Sequence, residues 1–438
     1  MELVSATADS GGPPRPKAAP VYPGIAEDFD LSNPYLFAND RPFDLFAQLR
    51  AKAPVAWRQE GEESGFWCVT RYEDVRSAAL DAKTFSSAMG GILMSLPPPE
   101  RRHRLLYAAQ LNNVVNMDGR DHFQLRLEHI PYFNAGYLAK LKMRITNEIT
   151  RLLDAMALRE SCDFVESFSS KLPLFTICEL LGVPVEDRAK FEHWLHYLEM
   201  SLAYSSDAEP SEEARKAMAG FDETVAEMFE YGRDMLRKRR ADPQPDLLTG
   251  IANARVDGEL LPVEYLDGSW LTVVFGGNDT TRNTLSGSVK LLSEFPDQRA
   301  KLLATPDLRF NAVQEFLRMV TPFTYVRRTA ACDVELGGQK ISRGEKVIIY
   351  FASANRDETV FLDPDRLDIE RANASRQIAF GTGTHVCLGQ RIAQMQLEMV
   401  HEQLLPRFPG IHYGGGIEIA PNNFAFCIQK LPVTLYKH

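Results

Sequence analysis

Phe380-Gly381-Thr382-Gly383-Thr384-His385-Val386-Cys387-Leu388-Gly389 is a glycine-rich turn that ends on one cysteine and runs straight into a helix. The helix is marked by Ile392, Met395, Met399 and Val400, spaced i, i+3, i+7 and i+8. Cys387 therefore stands at or just before a helix N-terminus, where partial positive charge favours a thiolate. Glycines also let the backbone approach a flat ligand closely and aim amide hydrogens at the sulfur. Thiolate ligation of haem iron needs both features. Read alone, the same stretch also describes a free cysteine in a tight turn.

The 438 residues can bury a large core, and the apolar and charged fractions are those of a globular protein. A net charge of −10 argues against nucleic acid, which needs a concentrated basic surface. Six cysteines lack the paired spacings of zinc or redox motifs and fit a reducing, cytoplasmic compartment. Residues 1–24 read as a disordered Pro/Gly-rich leader; length alone allows 25–438 to be one large domain or two to three ordinary ones, and the resemblance given below implies a single catalytic domain. No apolar run is long enough to span a bilayer, so no membrane anchor is expected.

In chain order, Pro42 to Lys52 reads as a helix and Val55–Trp57 with Phe66–Thr70 as a hairpin. Residues 85–116 read as a long irregular segment, apolar for a loop and so expected to cover something. A helix follows with Asp118 or Asp121 as its cap; His122 and Arg126, four apart, share a face. That face is either a solvated polar one or a pair of donors for an anionic ligand. Helices dominate from Leu138 to Arg240, with a break at 205–211. Arg237 to Arg240 reads as a charge complement to a helix C-terminus.

Tyr265 to about Leu292 reads as the longest buried helix, yet Gly276-Gly277-Asn278-Asp279-Thr280-Thr281 interrupts it. Each glycine costs roughly 1 kcal/mol against alanine, and threonines that bond back along a helix bend it. The stretch marks either close helix packing or a groove where a small molecule meets a carboxylate and a hydroxyl. Glu315 and Arg318 lie i, i+3 on the next helix, a common exposed pairing. Beyond Pro322, Val334–Leu336 and Lys346–Tyr350 suggest a small sheet, and Phe424–Phe426 with Leu431–Leu435 a last apolar hairpin.

In this order, the cysteine loop, the Glu315-x-x-Arg318 helix, the Gly276–Thr281 helix and the His122/Arg126 helix together resemble the cytochrome P-450 family from about Asn33 to the C-terminus. The resemblance implies a mainly α fold with small β-sheets (α+β), with haem b between a long central helix and the cysteine loop. It makes Cys387 the axial thiolate, with Phe380 shielding it and the amides near Gly389 tuning it. His122, Arg126, Arg328 and His385 match the positions that bind the haem propionates. Glu315, Arg318 and Arg366 match an ion-pair triad that braces the meander behind the haem. Asp279 and Thr280 match an acid–alcohol pair delivering protons to oxygen, and Gly276 and Gly277 leave space for oxygen and substrate.

The chain further resembles the bacterial class of monooxygenase that takes electrons from a two-iron ferredoxin and its NAD(P)H-dependent reductase; a monomer is the default expectation, not something the residues show. Ferredoxins of this kind are acidic, so the face near Cys387 should be locally basic, with Arg391 a candidate and Arg101, Arg102 and Arg104 others. Substrate contacts are expected from Met89, Ile92, Leu93 and Leu96, from Leu202 and Tyr204, and from Thr324, Tyr325, Val326, Phe424 and Phe426. Few charges fall there, which implies a hydrophobic substrate; Gly277 to Asn283 resembles alkane, terpenoid or sterol side-chain hydroxylases. A peroxide-driven peroxygenase and an aromatic or polyketide-type substrate are the alternatives, as is a non-catalytic haem-binding sensor.

Overall fold

A computed structural model describes residues 22, 25, 30–60, 64–94, 102–204, 216 and 219–436. The leader (Tyr22 apart), Leu96, Arg101, the 205–211 break and the side chains of Leu202 and Tyr204 lie outside the described residues. The principal helices are α1 (Phe43–Lys52), α2 (Tyr72–Leu80), α3 (Arg104–Leu111), α4 (Gly119–His129), α5 (Ala135–Ala157) and α6 (Lys171–Leu181). They continue with α7 (Arg188–Tyr204), α8 (Phe221–Ala241), α9 (Val263–Gly276), α10 (Asp279–Glu294), α11 (Arg309–Val320) and α12 (Gln390–Arg407).

The main core is helical, and α5 shows how the sequence builds it. Asn134 accepts a hydrogen bond from Tyr137 N–H and caps the helix. Leu138, Leu141, Ile145, Ile149, Leu152, Leu153 and Met156 then bury one face at helical spacing. In the bundle centre α10 packs against α6 and α11. Its small polar residues allow close approach because each finds a partner: Ser286 Oγ with Ser169 Oγ at 2.7 Å, Ser288 Oγ with His401 Nε2 at 2.9 Å.

Five strands form the largest sheet: β1 (Val55–Glu60), β2 (Ser64–Val69), β3 (Phe85–Ser86), β4 (Val326–Ala330) and β5 (Lys346–Ile349), in the order β1-β2-β5-β4-β3. β1 and β2 are the expected hairpin, Val55 opposite Val69. β5 runs parallel to β2 and antiparallel to β4, placing Val347 opposite Arg328. Both sheet faces are buried: Trp57, Trp67, Val69 and Val347 enter one apolar cluster, and Ala56, Phe66, Cys68 and Ile348 the other. That is why these strands read as continuous apolar runs without alternation.

Three elements differ from the expectation. The long buried helix is two, because Gly277 N–H reaches Val273 O at 3.4 Å and Asn278 N–H tightens onto Phe275 O at 3.3 Å. Residues 85–116 are not irregular throughout. They contain β3 and then α3, capped by His103 Nδ1 accepting from Leu106 N–H at 3.4 Å. α3 packs on α9 and α8, and Gly268 of α9 is what lets it approach: a Cβ there would lie 2.3 Å from Asn112 O. Finally, Phe424–Phe426 and Leu431–Leu435 form no hairpin together. Ile428–Lys430 pairs with Glu418–Ile419, and Pro432–Thr434 lies between His412–Tyr413 and Ser161–Asp163.

His401 of α12 gives the helical core a pH dependence. It is buried between Ser288 and the Phe316 ring, 4.8 Å away, and burial, followed by the Arg309 charge, holds it down to about 3 from an ordinary 6.5. Below pH 6.5 the unfolded chain gains a proton that folded His401 refuses until about pH 3, so stability falls on acidification through that window. The slope from this one group is at most about 1.4 kcal/mol per pH unit. His401→Leu is expected to shrink the stability difference between about pH 7 and about pH 5, read from denaturant unfolding. An unchanged difference would contradict this origin.

Candidate active site

The cysteine loop closes on itself through two backbone bonds, Cys387 N–H to Phe380 O at 2.9 Å and Val386 N–H to Gly383 O at 3.2 Å. Gly381 and Gly383 take φ of +70° and +73°, and a Cβ on Gly383 would lie 2.9 Å from Ala79 O of α2. The amides of Gly389 and Gln390 point at the sulfur. Burial pushes the thiol up, while those amides and the Arg126 charge pull it back. The side chain nevertheless has free surface. Dense surrounding protein and free surface together describe a group on the wall of an internal cleft.

Beside the loop the structure gathers the four side chains expected to meet an anionic ligand. His122 and His385 stack with ring centroids 4.2 Å apart. Arg126 donates to Val386 O at 2.7 Å, tying α4 to the loop. Arg328 comes from β4, and burial lowers it to about 10. Burial, then the charges of His385 and Arg126, holds His122 down to about 3, and its buried Nε2 has no hydrogen-bond partner among the described residues. Two arginines, an orphaned ring nitrogen and one carboxylate, Asp118, leave this group short of negative charge. The two carboxylates of haem fit that deficit.

Behind the loop, Glu315 and Arg318 are wholly buried and paired by two bonds, at 2.6 and 2.9 Å. Arg318 also donates to Asn355 O, Pro364 O and Arg366 O, so one guanidinium collects the carbonyls of the meander. The third cation is not Arg366. Arg366 is 64% exposed and lies 3.9 Å from Asp297, whereas Arg371, 7% exposed, stands 3.1 Å from Glu315. Alternation explains the exchange: Leu367, Ile369 and Arg371 point inward, and Arg366 and Glu370 outward. In the sequence Arg366 stands in the conspicuous stretch Pro364-Asp365-Arg366, whereas the signal that marks Arg371 is the period-two pattern of inward residues.

At the α9–α10 break, Val273, Gly276 and Thr280, at i, i+3 and i+7, are partly exposed while Val274, Asp279 and Thr281 beside them are buried. A Cβ on Gly276 would meet nothing within 4 Å. Gly277 serves packing instead: a Cβ there would lie 2.7 Å from Ile177 of α6, so the expected space comes from Gly276 alone. Thr280 Oγ1 donates to Gly276 O at 3.1 Å and keeps its lone pairs. Asp279 is held by Asn278 Nδ2 at 3.3 Å and by Arg282 at 3.6 Å; Arg282 in turn donates to Cys427 Sγ at 3.2 Å.

Of the expected substrate contacts, four share a place in the fold. Tyr325, Phe424, Ile92 and Leu93 share one apolar cluster, Tyr325 OH accepts from Met94 N–H at 3.3 Å, and Ile92 O accepts from Arg327 N–H at 2.8 Å. Thr324 is buried, with its hydroxyl unpartnered among the described residues. Val326 opens β4, Met89 is exposed, and Phe426 lies under the Arg41 guanidinium at 4.0 Å. Arg391 is exposed at the start of α12, whereas Arg102 and Arg104 lie at the N-terminal end of α3, which packs on α9 and α8.

A family model described as Cytochrome P450 matches residues 310–432. Linalool 8-monooxygenase of Pseudomonas putida is 35% identical over 408 residues, 93% of this chain and 98% of that protein. Steroid C26-monooxygenase of Mycolicibacterium smegmatis is 31% identical over 413 residues, 93% of this chain and 96% of that one. Among solved structures, cytochrome P450-153 from Novosphingobium aromaticivorans matches with TM-score 0.82 at 32% identity, over 93% of this chain and 99% of that one. Mycobacterium marinum cytochrome P450 CYP268A2, solved with pseudoionone, matches with TM-score 0.83 at 32% identity, over 95% and 100%.

The corrected brace is testable. Arg371→Ala leaves a buried carboxylate short of a cation and is expected to cost roughly 3 kcal/mol of stability. Arg366→Ala should cost less than about 0.5 kcal/mol. Denaturant midpoints distinguish the two, and equal losses would put Arg366 back beside Glu315.

Proposed function

The chain belongs to the cytochrome P450 family of haem-thiolate monooxygenases, and from that premise we propose that it hydroxylates a hydrophobic alkyl, terpenoid or steroid-like molecule. The oxidant is O2, and the electrons come from a two-iron ferredoxin and its NAD(P)H-dependent reductase. Protoporphyrin IX haem is the family's cofactor; when bound, it supplies the activation of O2 and the oxidation of a C–H bond. The observation that carries the reading is the break between α9 and α10, where open space at Gly276, the Thr280 hydroxyl and the Asp279 carboxylate coincide.

Cys387 would hold the iron, and His122, Arg126, Arg328 and His385 the two haem carboxylates. Thr280 spends its hydroxyl hydrogen on Gly276 O, which leaves its oxygen free to accept from a water on the open face. Asp279, one residue earlier and buried, can give up and regain a proton through such a water. Asn278 and Arg282 fix its carboxylate so that it does not wander into the cleft. The apolar segments around Ile92, Leu93, Tyr325 and Phe424 exclude water and favour an apolar substrate, as do the terpenoid and steroid named by the relatives. On the sulfur side, exposed Arg391, the exposed apolar residues Phe123 and Leu127 of α4, and Ile130 just beyond that helix offer the ferredoxin a surface.

Thr280→Ala is expected to uncouple the enzyme: NAD(P)H is still consumed, peroxide accumulates and product per electron pair falls. Asp279→Asn should slow turnover by roughly a hundredfold. Unchanged product yield in both variants would contradict the relay. Turnover by hydrogen peroxide alone that outpaces ferredoxin with NAD(P)H would instead make the protein a peroxygenase. A screen for the Soret shift caused by substrate should find terpenoid, steroid or long alkyl compounds; binding confined to aromatic or polyketide compounds would overturn the substrate class.

A further inference from the structure

The group that is short of negative charge already contains one carboxylate of its own. Asp118 stands at the N-cap of α4, yet its side chain does not cap that helix. It turns instead toward the segment where β3 ends. Its Oδ2 accepts from Ser86 Oγ at 2.5 Å and Ala88 N–H at 2.9 Å, and its Oδ1 accepts from Ser87 N–H at 3.3 Å. The same Oδ1 lies 3.3 Å from His385 Nε2, and Ser87 Oγ lies 3.4 Å from that nitrogen. Against burial, which pushes it up, the bonds from His385, Ser86, Ala88 and Ser87 hold the carboxyl down to about 2.

This placement is costly for a site that must receive two more carboxylates, since like charges repel across a few ångströms. It also leaves a helix without its cap. What the carboxylate gains is a junction of three distant pieces of chain. These are the root of the apolar loop at 86–88, the start of the helix that carries His122 and Arg126, and the cysteine loop through His385. The loop beyond is fastened by Met89 N–H to Ser86 Oγ, Gly91 N–H to Ser87 O, Ile92 O to Arg327 N–H and Met94 N–H to Tyr325 OH. His385 stacks on His122, so a ring displaced at one end disturbs both.

We propose that Asp118 is a positioning residue that fastens the root of the apolar loop to the histidine pair, so that haem retention and the order of the loop facing the substrate depend on one carboxylate. An outer partner of a group that holds a cofactor acts in this way, by fixing the orientation of what it touches. The proposal rests on the placing of His122 and His385 at the haem carboxylates, but not on the proton relay or the substrate class.

Two measurements on the haem-bound full chain test it: the rate of haem loss to an excess of a haem-free globin, and hydrogen exchange of amides 86–94. In Asp118→Ala, haem loss should rise roughly tenfold or more. Exchange at 86–89 should quicken in the same variant, with α5 unchanged. Asp118→Asn keeps an acceptor oxygen for Ser86 and Ala88 and should restore the loop protection while recovering haem retention only in part. Ser86→Ala removes one donor of the junction and should move both readouts in the same direction by less; it decides the matter if Asp118→Ala yields no haem-bound protein. Movement of one readout without the other in both Asp118→Ala and Ser86→Ala would overturn the proposal. Haem loss unchanged in His385→Ala would overturn the placing of the histidines as well. Faster loss in His385→Ala with none in Asp118→Ala would overturn the role of Asp118 alone.

Discussion

On the proposed function, a sulfur that must act as a thiolate inside a protein is the constraint on which the rest depends. Burial drives the Cys387 thiol toward its neutral form. The loop answers with the backbone amides of Gly389 and Gln390, and α4 adds the charge of Arg126. Neither works unless the turn keeps its shape. Gly383 can take its left-handed conformation against Ala79 O only without a side chain. The meander before the loop is in turn held by Arg318, whose guanidinium gathers three of its carbonyls while paired with buried Glu315. A buried pair of this kind adds little net stability against an apolar replacement, but removing one partner is severe. Its value is that it fixes where the loop stands.

The opposite wall obeys a different requirement. A central helix should be uniformly hydrogen-bonded, yet this one is divided at Gly277 and Asn278, and Thr280 bonds back to Gly276 O. The interruption leaves Gly276 bare toward open space and sets a hydroxyl and a carboxylate next to each other. Elsewhere α10 is an ordinary buried helix whose serines and threonines find partners at close range.

What the residues alone made legible follows from how local each signal is. The cysteine turn, the His122/Arg126 pair and the α9–α10 glycines are short motifs whose chemistry is contained in a few neighbouring residues, and the structure brings the first two together through His122 on His385 and Arg126 on Val386 O. The signals that failed were long-range or two-sided. Arg366 sits in the conspicuous motif, but the inward phase of the chain belongs to Leu367, Ile369 and Arg371. Gly277 looked like a second opening because a bare glycine cannot show, in sequence, that Ile177 of α6 fills the space beside it. α3 was hidden by the proline-rich run before it and by a histidine cap, which is an unusual capping residue. Phe424–Phe426 reads as a strand, but its one bridge joins Ala425 to Phe323 far earlier in the chain, while Pro432–Thr434 pairs with Ser161–Asp163. The role of Asp118 could not be read at all, since Ser86 and His385 are brought to it only by the fold.

The reduced, carbon monoxide-bound absorption spectrum tests the ligation by Cys387 most directly, because the Soret position reports which atom faces the gas across the iron. Thiolate ligation by Cys387 predicts the red-shifted Soret band of haem-thiolate proteins, lost in Cys387→Ala. A band at the position of histidine-ligated haem in the unaltered protein, or a red-shifted band that survives Cys387→Ala, would contradict it.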